Sequence, residues 1–482
     1  MHARRHEGSI LSVFHAVTSA LARAARRLIA PGFTLALAAC TWYHGEPLGR
    51  QQTLMSPEAL GRVRIDPSTM PLPALAAHRF DPSDGLDIEE VAMLAVADNP
   101  DLKLARDDLG IARAQAFSAG LLPDPQLSVA SDYPGAAGYS RAFTYGLSMD
   151  VMAIITRGAN KRSEQANVTK IDLGLLWQEW QVVAQAKQLF LKARLSDEIL
   201  PLLRKQLDIA KARYESAAAA ERSRAVTEDI STASLIAYTD ARKQYGDAER
   251  EAEQTHHDLN ALLGLAPDIR LRLTGDDDSV PVSDTQIDTA LADLSKRRPD
   301  LLALQAGYEA QEQKYRAAIL NQFPSLSVGF VRARDTSEIY TSGFQINLSL
   351  PIFNRNRGNV AIEQATRQRL HDEYQIRLNQ AYADAAHLRA DTAILTQALE
   401  RADAALPGAE RAADDAERAY DARDLVLGAY SDALSAALTK RIEVARLRES
   451  LAEQRIALQT VLGSAIPDTF SNHEHIIDTH AK

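Results

Sequence analysis

One stretch of this sequence occurs twice. Residues 100–129 align without a gap on residues 299–328, with nine identities in thirty positions, including Pro-Asp-Leu at the start and Leu-Ser-Val at the end. The same offset of 199 residues places Leu263-Gly264 on Leu462-Gly463. Repetition at a fixed offset is typical of a duplicated structural unit, so the two halves are expected to have the same order of elements.

Each half contains two short segments in which apolar and polar residues alternate, a pattern that predicts strands with one apolar and one polar face. Loops at 131–142 and 332–342 would join each pair into a hairpin of roughly nine-residue strands, about the length that a tilted strand needs to cross a bilayer. The predicted membrane-strand residues are Phe143, Tyr145, Leu147, Met149 and Val151 in the first half and Phe344, Ile346, Leu348 and Leu350 in the second.

Aromatic residues near the strand ends have two interpretations. They could form a girdle at the membrane interface, or they could pack within ordinary hairpins, and the sequence leaves both open. The residues are Phe143, Tyr145, Tyr340, Phe344 and Phe353.

After each hairpin the apolar residues recur at spacings of four and three. This heptad pattern runs from Val182 to Tyr214 in the first half and from Tyr374 to Leu406 in the second, with many alanines. Sustained heptads predict coiled-coil packing of closely spaced helices. Pro201 is expected to kink the first long helix, because proline removes a backbone hydrogen bond and clashes with the preceding turn.

The patterns predict three helices in each half. The opening helices are expected at 87–121 and 285–320, the long helices at 158–214 and 358–420, and the return helices at 226–263 and 426–463. Long helices of this length exceed what a compact globular core requires.

The N-terminus has the pattern of an export signal. Three arginines precede a short apolar run that ends in Leu37-Ala38-Ala39-Cys40. This ending resembles the bacterial lipoprotein box, which implies cleavage before Cys40 and attachment of diacylglycerol and an N-acyl chain, such as palmitate, to that residue. The alternative is a buried thiol after an ordinary signal peptide.

Composition excludes several classes of protein. The formal net charge of −10 argues against a nucleic-acid binder. With one cysteine the chain has no intrachain disulfide framework and no multi-cysteine metal site. Few glycines and prolines, 23 and 19, favour long uninterrupted elements.

Taken together, the residues resemble the TolC-type outer membrane factors. The resemblance rests on the duplicated helix–hairpin–long helix–helix plan, the paired Pro-Asp-Leu starts, and the two Leu-Gly closures. It also rests on Ser349-Leu350-Pro351-Ile352-Phe353 followed by Arg357-Gly358. The resemblance covers residues 85 to 467, which is nearly the whole mature chain.

This resemblance implies a mixed α and β membrane protein. Three copies would form an outer-membrane β-barrel of twelve strands, four from each chain, continued by an α-helical coiled-coil barrel across the periplasm. The implied function is the outlet duct of a tripartite efflux system in the outer membrane, with a periplasmic adaptor and an inner-membrane pump as partners and no cofactor besides the lipid on Cys40. Such a duct is not an enzyme.

The segments divide accordingly. We expect a signal peptide at 1–39, a lipid-anchored linker at 40–84, a first repeat at 85–267, an inter-repeat linker at 268–283, a second repeat at 284–467 and a tail at 468–482.

The turns between long and return helices are the expected tips of the duct, at about 215–227 and 420–429. Tyr214 lies fifty residues before Gly264, whereas Tyr420 lies forty-three before Gly463, which predicts an insertion of about one heptad in the first tip. Charges repeated threefold at the tips could select ions or hold the duct closed. The candidates for the pore and the adaptor contact are Arg222, Arg224, Asp229, Arg423, Asp424 and Leu425.

Other readings of the sequence remain. The chain could be a lipid-anchored periplasmic coiled-coil scaffold whose hairpins do not insert, or the outlet of a type I secretion system. His473, Glu474, His475 and His480 could bind a transition metal, but a tail without a metal is the simpler interpretation, so no metal site is predicted.

Overall fold

The computed structural model describes residues 43–50, 52–135, 138–275 and 281–463. The chain divides into two units, residues 1–53 and 54–482. In the first unit, residues 43–50, 52 and 53 are exposed and contain no helix or strand. The predicted signal peptide, Cys40, residues 276–280 of the predicted inter-repeat linker and the tail at 468–482 lie outside the described residues.

In the second unit the two halves have the predicted order of elements. The first comprises α1 (Pro57–Leu60), α2 (Pro73–Ala77), α3 (Ile88–Asp98), α4 (Pro100–Ala119), β1 (Gln126–Asp132), β2 (Ala142–Asp150), α5 (Val151–Arg222) and α6 (Glu228–Leu262). The second comprises α7 (Asp284–Ala292), α8 (Leu294–Arg297), α9 (Pro299–Leu320), β3 (Ser325–Arg334), β4 (Tyr340–Ser349), α10 (Arg357–Asp421) and α11 (Leu427–Leu462). None of the described helices has the length and apolar character needed to cross a membrane.

The four strands form one antiparallel sheet in the order β1-β2-β3-β4. Each predicted hairpin is present, and β2 of the first half pairs with β3 of the second, with Leu147 opposite Phe330 and Phe143 opposite Arg334. The two halves are therefore joined edge to edge in a single sheet.

Helix α5 is the centre of the helical part. It packs against α3, α4 and α6 of its own half and against α9 and α11 of the other. Next to the sheet the contacts run α4–α5–α9–α10, and towards the tips they run α6–α5–α11–α10. Helices α4, α6 and α10 thus lie at the ends of these rows.

The largest hydrophobic core surrounds α3. This helix buries a continuous run from Val91 to Val96 against Trp180 and Phe190 of α5. The predicted linker at 40–84 contributes Leu72 and Leu75 to the same core. Residues 54–84 are thus packed against the first repeat.

The opening helices differ from the prediction, because each is interrupted before its Pro-Asp-Leu motif. Asn99 ends α3 and caps α4 by accepting the Leu102 N–H at 3.0 Å, while its Nδ2 donates to the Leu262 carbonyl at 2.9 Å. The residue before proline is disfavoured in the helical conformation, so the break follows from Pro100. The second half is interrupted at Arg298, whose Nη1 donates to the equivalent Val461 carbonyl at 3.4 Å.

The start of the first long helix was also predicted wrongly. Helix α5 begins at Val151, directly after β2, because the Asp150 carboxylate accepts the N–H groups of Met152 and Ala153 at 2.8 and 3.1 Å. Val151 is therefore helical and not the last residue of a strand. In the second half Pro351 stands near the equivalent position, and α10 begins only at Arg357.

The heptad pattern identified helix faces correctly. In α5 the buried heptad positions include Ala186, Ala193 and Leu203. In α10 all ten heptad positions are buried or half-buried: Tyr374, Leu378, Ala381, Ala385, Leu388, Thr392, Leu395, Leu399, Ala402 and Leu406. Helix α5 continues through Pro201 to Arg222.

Candidate functional site

One face of the sheet is apolar and exposed in the single chain. Cross-strand partners in an antiparallel sheet lie on the same face, so the register groups residues of all four strands. Phe344 is 92% exposed, although it lies in the middle of β4. The members of this apolar face are Leu127, Val129, Tyr145, Leu147, Met149, Leu326, Val328, Phe330, Phe344, Ile346 and Leu348.

The opposite face is small and polar. Gln345 Nε2 donates to Asn347 Oδ1 at 2.9 Å, and Asn347 Nδ2 donates to Ser327 Oγ at 3.3 Å. Gly329 lies so close to β2 that an added Cβ would sit 2.6 Å from the carbonyl oxygen of Leu147. Water can hydrate this face, whereas the other face requires an apolar surrounding.

The sheet has two open edges. Among the described strands, β1 pairs only with β2 and β4 pairs only with β3. Each open edge presents backbone N–H and C=O groups that need partners, from water or from another strand.

The two tips have the same turn. The N–H of Arg224 donates to the Glu221 carbonyl and that of Ala225 to the Ala220 carbonyl, both at 2.8 Å. Arg423 and Asp424 repeat these bonds to Tyr420 and Ala419 at 2.9 and 2.8 Å. This is the Schellman arrangement, in which the residue after the helix is left-handed.

Arginine takes the left-handed position in both turns, with φ of 62° at Arg224 and 66° at Arg423. The two residues are separated by the repeat offset, and each lies forty residues before its closing glycine, Gly264 or Gly463. The predicted heptad insertion is therefore wrong. Tyr214 and Tyr420 occupy different levels, since Tyr420 is three residues before its turn and Tyr214 is ten.

Both tyrosines stack on a tyrosine of the return helix. Tyr420 lies 5.0 Å from Tyr430, and Tyr214 lies 5.9 Å from Tyr238, measured between ring centroids. Burial, together with Glu417 and Asp421, raises the pKa of Tyr430. Each stack joins a long helix to its return helix, and the two stacks lie at distances from their turns that differ by one heptad.

The six predicted tip residues all lie in or beside these turns. Arg222 ends α5, Asp229 lies in the first turn of α6, and Leu425 is half-buried below the second turn. A hydrogen bond with the Thr227 side chain lowers the pKa of Asp229. The candidates did not include Val426, which occupies the N-cap position of α11 with 73% of its surface exposed; its apolar side chain gave no sequence signal of exposure.

Exposed apolar residues also mark the end helices of the rows. On α4 they are Leu104, Ile111 and Phe117, and on α10 they are Ile362, Ile376 and Ile394. All are more than half exposed. These positions are where a neighbouring chain would contact the two helices if the rows continue into another copy.

One group of metal-ligand types occurs among the described residues, His78, Asp87 and Glu90. His78 Nε2 lies 3.0 Å from Asp87 Oδ2, and the Glu90 oxygens accept the N–H groups of Asp81 and Asp87 at 2.7 and 2.9 Å. Asp87 in turn accepts the N–H of Glu90 at 2.8 Å. These bonds form the capping box of α3, which explains the group as a helix start.

A cleft of about 690 Å³ lies between α5 and α11 and is lined by both signs of charge. Glu449 of α11 faces this cleft. Burial raises its pKa to about 7, the nearby Glu453 and Glu251 add to the shift, and Lys192 opposes it.

The comparisons with known proteins agree with this architecture. The outer membrane efflux protein family matches residues 290–464, which are most of the second half. The cobalt-zinc-cadmium resistance protein CzcC of Cupriavidus metallidurans is 23% identical over 386 residues, covering 78% of this chain and 88% of that protein.

Solved structures share the fold. The CmeC outer membrane channel of Campylobacter jejuni matches with a TM-score of 0.66 at 19% identity, covering 81% of this chain and 89% of that one. The open state of the MtrE outer membrane channel of Neisseria gonorrhoeae matches with a TM-score of 0.61 at 18% identity, covering 78% and 88%. In the sequence of its second half and in its fold, this chain is similar to the TolC-type outer membrane efflux proteins.

Proposed function

We propose that this protein is the outer-membrane channel of a tripartite efflux system, a passive duct for substrates delivered by an inner-membrane pump through a periplasmic adaptor. The observation that carries the proposal is the sheet, with an exposed apolar face, a small polar face and two open edges. A membrane-inserted strand needs lipid on one side, water on the other, and a partner at each edge.

Three copies supply those partners. Four strands are fewer than the eight of the smallest closed barrels, so one chain cannot close alone. The strands alternate in direction from β1 to β4, so β4 of one copy runs antiparallel to β1 of the next. A closed trimer would thus contain twelve strands.

The helices support the same assembly. Helices α4 and α10 end the row next to the sheet, and both carry exposed apolar residues. Contact of α10 with α4 of the next copy would bury the exposed residues of α4 together with Ile362 and Ile376 in a head-to-tail ring, while Ile394, nearer the tips, would face α6 of that copy. At about 1.5 Å per residue the 72 residues of α5 extend about 105 Å, which would carry the duct across the periplasm.

The tips are the proposed contact with the adaptor. They place Arg222, Arg224, Arg423 and Asp424 on exposed turns at the far end from the sheet. Opening would shift the paired long and return helices from one packing arrangement to another once the adaptor binds.

We further propose that Cys40 carries the lipid anchor, which mass spectrometry of the mature N-terminus tests directly.

CzcC is described by its name as a cobalt, zinc and cadmium resistance protein. This similarity favours efflux over a type I secretion outlet for the present chain. Selection among cargoes would belong to the pump, because the polar face of the sheet carries small side chains and amides.

Two neighbouring substitutions test the channel. Phe344 and Gln345 are adjacent and exposed in β4 but lie on opposite faces. Phe344→Asp would place a charge in lipid, which destabilises insertion, so we expect loss of the trimer and of conductance. Gln345→Asp would face the duct, so the trimer should conduct with increased preference for cations.

The measurements are planar-bilayer conductance and oligomeric mass in detergent. A silent wild-type monomer would contradict the channel and favour the periplasmic scaffold. Equal tolerance of both substitutions would contradict the assignment of the two faces.

A further inference from the structure

Three arginines lie at one end of the hairpins, on the apolar face. Arg332 is opposite Tyr145 and Ser342, and Arg334 is opposite Phe143 and Tyr340. Because cross-strand partners share a face, both guanidinium groups belong to the side that carries Phe344.

The third cation is Arg141, immediately before β2. Its guanidinium carbon lies 4.1 Å from the centroid of the Tyr133 ring, and that of Arg332 lies 6.0 Å from the Tyr340 ring. Arg141 lies two residues before Phe143, and Tyr133 lies four residues after Val129. Even spacing along a strand keeps residues on one face, so both extend the apolar face. Arginine and aromatic side chains therefore alternate along this border of the apolar band.

The cations of the two hairpins all lie at this end of the sheet and on one face. In the described parts of both hairpins, residues 126–135, 138–150 and 325–349, the three arginines are the only cations. The carboxylates at this end lie elsewhere: Asp132 falls on the polar face by its register with Ala142, and Asp335 and Glu338 lie in the loop between β3 and β4. Cations confined to the apolar, lipid-facing side of the sheet are expected if they contact lipid headgroups.

The guanidinium groups of these arginines have hydrogen-bond donors available for a ligand. Arg141 and Arg332 are exposed, and Arg334 donates from Nη2 to Glu338 at 3.2 Å. Arg334 Nε is buried and has no hydrogen-bond partner among the described residues. A guanidinium group presents paired N–H donors that match the oxygens of a phosphate group.

We propose that Arg141, Arg332 and Arg334 form a binding site for the phosphate groups of a phosphorylated glycolipid in the outer leaflet. The inference rests on the proposed function, because the hairpin ends face the cell exterior only if the sheet inserts with its helices in the periplasm. The aromatic rings would lie at the level of the lipid headgroups, and the apolar band below them would contact the acyl chains.

The test compares three forms of the full-length trimer in detergent. They are the wild type, the variant R141Q/R332Q/R334Q, and the control R250Q/R369Q/R418Q. Each control arginine lies on a periplasmic helix, is at least 68% exposed, and forms an ion pair within its own helix. The control therefore removes the same charge from a surface away from the membrane.

Each form is titrated by native mass spectrometry with bisphosphorylated lipid A, with dephosphorylated lipid A, and with inorganic phosphate. We expect wild type and control to bind lipid A equally and the first variant to bind it at least tenfold more weakly, since each arginine near an anionic surface contributes about fivefold. Dephosphorylated lipid should bind all three forms equally and weakly.

Unchanged lipid A affinity in R141Q/R332Q/R334Q would overturn the proposal, as would equal binding of the dephosphorylated lipid by wild type. Binding of inorganic phosphate at the same concentrations would show an anion site without lipid specificity and would overturn the lipid assignment. Conductance is recorded for every form. A conducting trimer whose lipid binding ignores the arginines refutes this site alone, whereas a silent wild type refutes the channel.

Discussion

Glu449 gives the helical part of the protein a pH dependence. Its pKa is raised to about 7 by burial and by the neighbouring carboxylates. A carboxyl group with a raised pKa favours the folded state fully below its unfolded pKa, and this contribution is lost as the pH rises through about 7.

We therefore expect a higher melting temperature at pH 5.5 than at pH 8. Glu449→Gln should reduce that difference and stabilise the protein at pH 8 by about 1 kcal/mol, a value already reduced for solvent screening. Thermal unfolding in detergent at both pH values measures this. Glu400→Gln on the exposed side of α10 is the control, and an equal response of the two variants would refute the assignment.

In the second repeat, the buried carboxylate of Asp300 forms ion pairs with two arginines. Its carboxylate accepts bonds from Arg298 at 2.9 and 2.7 Å and from Arg377 at 2.7 Å. Burial acts to raise the pKa of Asp300, but the two guanidinium groups outweigh it and keep the pKa below its usual value. Trp177 lies 4.8 Å from the Arg298 guanidinium.

The duplication supplies a matched control for this group. Asp300→Asn leaves the buried Arg298 and the partly exposed Arg377 without their anion, which should cost about 3 kcal/mol, mostly through Arg298. Asp101→Asn changes the equivalent but exposed residue of the first repeat and should cost little. Denaturant unfolding of both variants decides the matter, and equal losses would mean that Asp300 acts only as a helix-start residue.

In the β-sheet, the close approach of β2 and β3 depends on Gly329. A Cβ at this position would meet the Leu147 carbonyl oxygen at 2.6 Å, which is backbone and cannot rotate away. Gly343 of β4 has nothing within 4 Å of an added Cβ.

Gly329→Ala should therefore separate the two strands and lower the yield of trimer several-fold, whereas Gly343→Ala should assemble normally. Size-exclusion chromatography in detergent compares the two. Normal assembly of both variants would show that the pairing of β2 with β3 tolerates a wider spacing.

The order of helices and strands was predictable because it depends on local periodicity. Alternation located both hairpins, heptads located the long helices, and the paired Leu-Gly closures located the ends of α6 and α11. The breaks at Asn99 and Arg298 were missed because the apolar pattern continues through them, although the following prolines carried the signal.

Features that depend on distant contacts could not be predicted. The pairing of β2 with β3 joins residues nearly two hundred positions apart, and no local pattern specifies it. Arginine at the left-handed position of each tip was equally hidden, since glycine is the usual residue there. The shared offset of Arg224 and Arg423 was present in the sequence, but the tyrosine spacing indicated a different alignment.

In the proposed trimer, the open edges of the sheet have a genetic consequence. If β4 of each copy must pair with β1 of the next, one faulty edge interrupts the ring wherever it is incorporated. Co-expression of normal and edge-defective chains at equal levels would then leave about one trimer in eight free of a faulty subunit. Edge mutations should therefore be dominant, whereas mutations that prevent a chain from joining the trimer at all should be recessive.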